Sequence, residues 1–352
     1  MPKRTQPVPM LDARKSAILK AVVRDHVATG EPVGSHAIAT RYPLGVKPAT
    51  IRNEMAEMTD WGYLLQPHTS AGRVPSTLGY RYYVEHLRAK VSSLKFERYL
   101  QRLPQPGESL TELLASTLSI LARVAHSASF ATTAQDDTLR LIRCVITHCG
   151  PHRALVVGIF EHGFVENRLV DLKHSTSQRS LHRIQNVLIP LVEGQTVRYL
   201  LEMDPEQVPS MESPAERETL SLLLRTVQSI AQEASEGELY YDGVAFILQQ
   251  PEFQREVSQL EAVLRTLDER KALYRLVERT RSEMVTLQIG EENPLEPLRC
   301  CTLIYTRYRV GNRISGVLGV LGPMRMDYDR TITAVDQTAQ ALSDVLTKTL
   351  YS

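Results

Sequence analysis

From residue 12 to residue 87 the chain repeats one rhythm: apolar positions three and four apart, then a glycine or proline. Ile18, Leu19, Val22 and Val23 give a broad apolar face, which predicts a helix over 12–29 that Gly30 stops. Pro32 and Gly34 mark a turn, Ser35 reads as an N-cap, and His36 to Arg41 form a short second helix before PLGVK breaks it. In KPATIRNEMAEMTDWG, Pro48 suits the first helical turn, where its missing N–H costs nothing. Ile51, Met55 and Met58 share the buried face of this third helix, and Gly62 ends it. Its opposite face holds Ala49, Asn53 and Glu57, flanked by Thr50, Arg52 and Ala56.

Two short apolar runs follow, Tyr63-Leu64-Leu65 and Arg73-Val74-Pro75, which can pair as strands. Between them, QPHTSAGRVP (66–75) is small and polar. Helix, short helix, turn, helix and hairpin is the order of a winged helix-turn-helix. The side chains suit DNA. Asn53 can pair with adenine and Arg52 with guanine or a phosphate, and Thr50 can meet a thymine methyl. The hydroxyls of Thr69 and Ser70 can bind phosphate oxygens, and Arg73 a phosphate or a narrow minor groove. His68 reads as a phosphate contact or a turn hydrogen bond. The alternative for the third helix is an ordinary solvated face. A fourth helix carries Tyr80, Val84 and Leu87 on one side, with Tyr82 and Tyr83 read as core packing.

Beyond this module the rhythm changes. Residues 88–108 read as a charged helical extension ending at Pro104, Pro106 and Gly107, and Ser109-x-x-Glu112 as a capping box. The next helix carries Leu110, Leu113, Leu114, Thr117, Leu121 and Val124 on one face. LRLIRCVITH, RALVVGIF and FVENRLVDL are strand-like, with a turn at Glu161-His162-Gly163; residues 178–192 look helical. Near the C-terminus come MVTLQI, CTLIYTRYRV, a turn at Gly311-Asn312, RISGVLGVL, and a helix with Ile332, Val335, Ala339, Leu342 and Leu346. These segments predict an α+β multidomain chain: one antiparallel sheet with helices on it, interrupted by an insertion at 193–275. Within the insertion, Ser213-Pro214-x-Glu216 reads as a second capping box. Stripes at Leu220, Leu223, Leu224, Val227 and Ile230, and at Val257, Leu260, Leu264 and Leu267, fit either a dimer interface or packing on their own chain.

Charge sharpens the division. Residues 1–90 hold 13 Lys and Arg against 7 Asp and Glu, while the rest hold 28 against 33, so a net charge of +1 hides a basic N-terminal module on an acidic body. An anionic partner for that module follows. The four cysteines, Cys144, Cys149, Cys300 and Cys301, form no C-x-x-C pair and read as reduced and mostly buried in strands. No run of about 18 apolar residues exists, so no membrane span is expected. MPKRTQPVPM lacks the apolar stretch of a secretory signal, which leaves a cytoplasmic chain. GVLGVLG (316–322) lacks the Lys-Ser/Thr of a phosphate loop and reads as close sheet packing. HCGPH (148–152) reads as a turn between strands, with a metal cluster as the alternative. No catalytic motif and no cofactor are expected.

The strings GEPVGSHAIA, ATIRNEMAEM, GYLLQPHTSAGRVPS and GYRYYV, dense across residues 30–84, resemble the N-terminal signature of the HrcA family of heat-inducible transcription repressors. YYDGVAFILQQPEF (240–253) and GVLGVLGPMRMDY (316–328) extend the resemblance from about residue 11 to the end. One departure is Lys47-Pro48, where the family usually has Ser. The resemblance implies a GAF-like sheet domain and an inserted domain that dimerises. It also implies a double-stranded DNA operator, the inverted repeat (CIRCE) ahead of chaperonin operons, and help from a GroEL-type chaperonin in reaching the active form. The expected organisation is therefore a tail (1–10), a winged-helix domain (11–88), a linker (89–108), a GAF-like domain in two parts (109–192 and 276–352) and a dimerising insert (193–275). The expected DNA contacts are Lys47, Thr50, Arg52, Asn53, His68, Thr69, Ser70 and Arg73. Rival readings are a metabolite-sensing regulator on the same DNA-binding head, an activator, and an enzyme carrying such a head.

Overall fold

The computed structural model describes residues 9–68, 71–87, 110–161, 164–206, 211, 213–280, 282, 284–311 and 313–351. The expected linker (89–108), Ser109, all but two residues of the expected tail, Thr69, Ser70, the His162-Gly163 turn and Asn312 lie outside the described residues.

The first unit runs α1 (Ala13–Thr29), α2 (Ser35–Arg41), α3 (Pro48–Asp60), β1 (Leu64–Leu65), β2 (Val74–Pro75) and α4 (Thr77–Glu85). Asp12 caps α1 by accepting from the Lys15 N–H, and Gly30 closes it in the left-handed conformation. Ser35 is the first residue of α2 rather than its cap; Gly34 holds that position with no side-chain bond. Ile18, Leu19, Val22, Ile38, Ile51, Met58 and Leu64 are fully buried together, each contributing about 1.5–3 kcal/mol of burial. Arg41 on α2 reaches Asp25 of α1 at 2.6 Å and links those helices.

The body is mixed α and β, but not one sheet. Its order is α5 (Leu110–Ala125), β3 (Ala128–Thr133), β4 (Leu141–Gly150), β5 (Arg153–Phe160), β6 (Val165–Asp171), α6 (Gln178–Val192), α7 (Val197–Glu202) and α8 (Pro214–Ser235). Then come β7 (Leu239–Asp242), α9 (Val244–Leu248), α10 (Pro251–Arg255), α11 (Val257–Asp268), α12 (Arg270–Glu278), β8 (Thr286–Ile289), two 3-10 turns (Gly290–Glu292 and Glu296–Leu298), β9 (Cys301–Val310), β10 (Arg313–Pro323) and α13 (Tyr328–Tyr351). Five strands pair in the order β7-β3-β10-β9-β8, while β4-β5-β6 form a separate antiparallel sheet.

Residues 193–275, expected as one insertion, divide between two hydrophobic cores. The separate hydrophobic core runs from Leu139 to Ala231 and joins β4–β6 to α6, α7 and α8. Residues 239–277 instead cover the second face of the five-stranded sheet, where Ile247, Phe253, Val263, Leu267, Leu273 and Val277 meet Phe130, Leu303 and Tyr305. Ile304, Tyr308 and Leu318 face the other way, onto Leu113, Leu121, Val335 and Leu342 of α5 and α13. Both faces of that sheet are covered, as its near-continuous apolar strands require. The stripe on α8 (Leu220, Leu223, Leu224, Val227 and Ile230) is consumed by its own chain. Val257, at the start of the other stripe, is 67% exposed. The Ser213 capping box does not form, because Glu216 turns to Ser180 and Arg183 on α6.

GVLGVLG is close packing within β10: a Cβ at Gly319 would lie 2.5 Å from Tyr305 Cβ, and one at Gly316 would strike the Thr132 carbonyl. His148 and His152 bind the carbonyls of Thr176 and Leu172 at 2.9 and 3.2 Å. Of the cysteines, Cys144 and Cys301 are buried, Cys300 is half-buried and Cys149 is exposed. Among the described residues no helix is long and apolar enough to cross a membrane.

Candidate nucleic-acid interface

Helix α3 is held by its inner edge. Ile51, Met55 and Met58 are at most 3% exposed. Lys15 Nζ of α1 reaches Glu54 at 2.6 Å and Glu57 at 3.1 Å, and lies 5.2 Å from the Trp61 ring. Arg14 adds a weaker contact to Glu54 at 3.4 Å. The hydrogen bonds that the Lys15 ammonium donates to Glu54 and Glu57 hold it well above its ordinary pKa. Both acidic side chains of the helix interior are thus drawn to α1 and neutralised there. Neither partner of the Lys15–Glu54 pair stands out in the sequence; a cation on the apolar side of α1 is the only trace it leaves.

The outer edge is different. Lys47, Arg52 and Asn53 are exposed and Thr50 is half-buried. Among the described residues, no hydrogen bond or ion pair occupies the side chains of Lys47, Thr50, Arg52 or Asn53. Lys47 is the N-cap residue with extended backbone and no side-chain cap, and Pro48 occupies the first helical position. The start of α3 therefore keeps free N–H groups and the positive end of the helix dipole beside a cation.

The hairpin follows directly. β1 and β2 pair Leu64 with Pro75 and Leu65 with Val74. A third strand position is supplied by Val33, whose N–H and C=O bond Arg73 at 2.8 and 2.9 Å. Gly72 permits this approach: a Cβ there would sit 2.4 Å from the Val33 oxygen. His68 is exposed at the described edge of the tip, where its carbonyl accepts from the Ala71 N–H at 2.9 Å. Arg73 does not project freely. Its Nε donates to Thr59 Oγ1 at 3.0 Å, at the C-terminal end of α3, which ties the root of the hairpin to that helix. Nothing in the spacing around Arg73 announces this contact with Thr59, fourteen residues back in the chain.

The unit is seated on the body through α4. Arg81 pairs with Glu292 at 2.8 Å through Nε and donates to the Leu287 carbonyl at 3.0 Å. Arg325 donates to the Val27 carbonyl at 3.0 Å and to Glu252 at 2.6 Å. Tyr80 packs on Tyr328 with ring centroids 5.7 Å apart.

A family model described as the HrcA protein C terminal domain matches residues 111–332. The heat-inducible transcription repressor HrcA of Symbiobacterium thermophilum is 36% identical, over 96% of this chain and 99% of its own. Those of Moorella thermoacetica and Desulforamulus reducens are 35% and 34% identical, over 96% and 97% of this chain and 98% of each relative. A solved structure described only as a hypothetical protein shares the fold, with a TM-score of 0.69 over 97% of this chain and 100% of that one at 22% identity. The chain belongs to the HrcA family of heat-inducible transcription repressors.

Proposed function

We propose that the first unit is a winged helix whose α3 enters the major groove of an operator while the β1–β2 hairpin lies along the backbone. The observation that carries this reading is the polarity of α3: Glu54 and Glu57 are tied to α1, and Lys47, Thr50, Arg52 and Asn53 remain without a side-chain partner among the described residues. Arg52 and Asn53 read bases, Lys47 meets a phosphate at the helix start, and His68, Thr69, Ser70 and Arg73 belong to the wing contact. The relatives' name supports a heat-inducible transcription repressor; chaperonin operons as its targets and an inverted repeat as its site are what the family resemblance implies.

The five-stranded sheet with α5 and α13 on one face is the GAF-like part in this reading, and the unit around β4–β6 is the dimerising insert. The outer face of β4–β6 supports that assignment. Val145, Val165 and Leu169 are 46%, 54% and 54% exposed there. Leu155, Val157 and Ile159 lie between them in register. An apolar sheet face of this kind suits a second copy of the chain, and two-fold protein symmetry matches an inverted repeat. Control by a GroEL-type chaperonin completes the proposal and rests on family resemblance. The test is binding of the full chain to an inverted-repeat duplex and to one with a single half-site scrambled. The dimer reading expects a large loss on the damaged duplex; equal binding to both contradicts it.

A further inference from the structure

Cys300 and Cys301 stand side by side where the second 3-10 turn runs into β9, with their Sγ atoms 3.7 Å apart. Their settings differ. Cys301 is fully buried in the cluster that holds Phe253 and Leu298. Cys300 is half-buried at the edge of that cluster, its Sγ 3.5 Å from the Pro297 carbonyl. The hydrogen bond from the Cys301 thiol holds Cys300 below the ordinary thiol range, while the same bond and burial push Cys301 well above it. A reachable thiol with thiolate character beside a second, protected one is the arrangement in which oxidation stops at a disulfide. The remaining thiols lack it: burial pushes Cys144 up to about 12, and Cys149 is exposed, its Sγ 3.6 Å from the Thr147 carbonyl.

We propose that Cys300–Cys301 is an oxidation site, which hydroperoxides convert to a reversible vicinal disulfide through a sulfenic acid on Cys300. In the first step the Cys300 thiolate attacks one peroxide oxygen. An S–O bond forms, the O–O bond breaks, the sulfur is oxidised, and the other oxygen of hydrogen peroxide leaves reduced as hydroxide, which becomes water by taking up the proton that the Cys300 thiol released on ionising. In the second step the Cys301 sulfur attacks the Cys300 sulfur. An S–S bond forms, the S–O bond breaks, and hydroxide departs with the Cys301 proton as a second water.

Adjacent Cα atoms are about 3.8 Å apart, below the usual disulfide range of about 4.4–6.8 Å, so the bond is strained and thiols reduce it readily. The site lies near the seam. Cys301 pairs with Pro323 across β9 and β10, and the next residues, Met324 and Arg325, contact Thr77 and Val27 of the first unit.

The experiment uses the full chain with Cys149→Ser, which removes the exposed competitor. The protein is treated with one equivalent of hydrogen peroxide, blocked with N-ethylmaleimide under denaturing conditions, and mapped by mass spectrometry. The expected peptide spanning Cys300 and Cys301 has lost the mass of two hydrogens, carries no label, and gains two labels after dithiothreitol. With Cys301→Ser, which keeps a hydrogen-bond donor beside Cys300 but cannot form the disulfide, dimedone should trap a sulfenic acid on Cys300. If that variant does not fold, Cys300→Ser should leave Cys301 reduced after peroxide. The proposal fails if both sulfurs stay labelled under peroxide exposure that oxidises Cys149 in the unmodified chain, or if a dimedone adduct persists on Cys300 with Cys301 present.

Discussion

His26 Nδ1 and Tyr80 Oη lie 2.7 Å apart, inside the seam between the first unit and the five-stranded sheet. Burial, followed by the Arg325 cation, pushes the imidazole down to about 4, against the opposing pull of Glu252 and Glu31. The neutral ring therefore accepts from the Tyr80 hydroxyl, whose own pKa burial holds well above its ordinary value. The unfolded chain takes up this proton near pH 6.5 and the folded chain only near 4, so the His26 contribution is complete above about pH 6.5 and is lost as pH falls towards 4. Between about pH 7 and about pH 5 the loss is about 2 kcal/mol. Urea unfolding at the two pH values should show it in the wild type and not in His26→Gln. The same pH dependence in both proteins would contradict the account.

Arg52 and Asn53 carry the proposed base contacts. Arg52→Ala and Asn53→Ala should each weaken operator binding by about 1–3 kcal/mol, and Asn53→Ala should leave random-sequence binding almost untouched. Anisotropy titrations on operator and scrambled duplexes at one salt concentration separate the two. Wild-type affinity in both variants would remove these residues from the interface.

Lys47 splits stability from binding. Lys47→Ser restores a capping hydroxyl to α3 and should stabilise the fold by about 0.5–1 kcal/mol. It also removes the cation from the helix start, so affinity for operator and random DNA should fall together, with a smaller salt slope. Thermal melts and salt-dependent titrations of one variant read both effects. A stabler protein with unchanged affinity would place Lys47 outside the contact.

Gly72 and Arg73 hold the hairpin root. A Cβ at Gly72 meets the Val33 oxygen at 2.4 Å, so Gly72→Ala breaks the strand bridge and should cost about 2–3 kcal/mol. Arg73→Ala loses the bond to Thr59, at about 1 kcal/mol, and should weaken operator and random DNA alike. A loss confined to operator DNA would give Arg73 a base-reading role. In a double-mutant cycle Arg73→Ala and Thr59→Val should be non-additive in stability.

The local elements were legible where the pattern repeats within one helix or hairpin. Ile51, Met55 and Met58 face inward as their spacing demands, and Leu64 and Val74 sit in strands where their apolar runs placed them. The partition of the body was not legible. Strands β4–β6 and β8–β10 share one period, and nothing in a period names the partner strand. The strand ASFATT (β3) is buried at every position, so its small residues show no alternation to read. Its partners, Tyr240 and Leu318 for Ala131, are more than a hundred residues away. The candidate interface divides in the same way. Exposed residues of α3 followed from the helical wheel, but the Lys15–Glu54 pair and the anchoring of Arg73 on Thr59 are contacts between elements, which spacing does not encode.

The most direct test of the central claim is fluorescence anisotropy of the full chain against the chaperonin-operon inverted repeat and a scrambled duplex of equal length at fixed salt, with the Arg52→Ala/Asn53→Ala double variant run in parallel. The account predicts tight, sequence-dependent binding by the wild type and a double variant that no longer distinguishes the two duplexes. A folded wild-type protein with no preference for the inverted repeat, or a double variant that keeps the full preference, would contradict it.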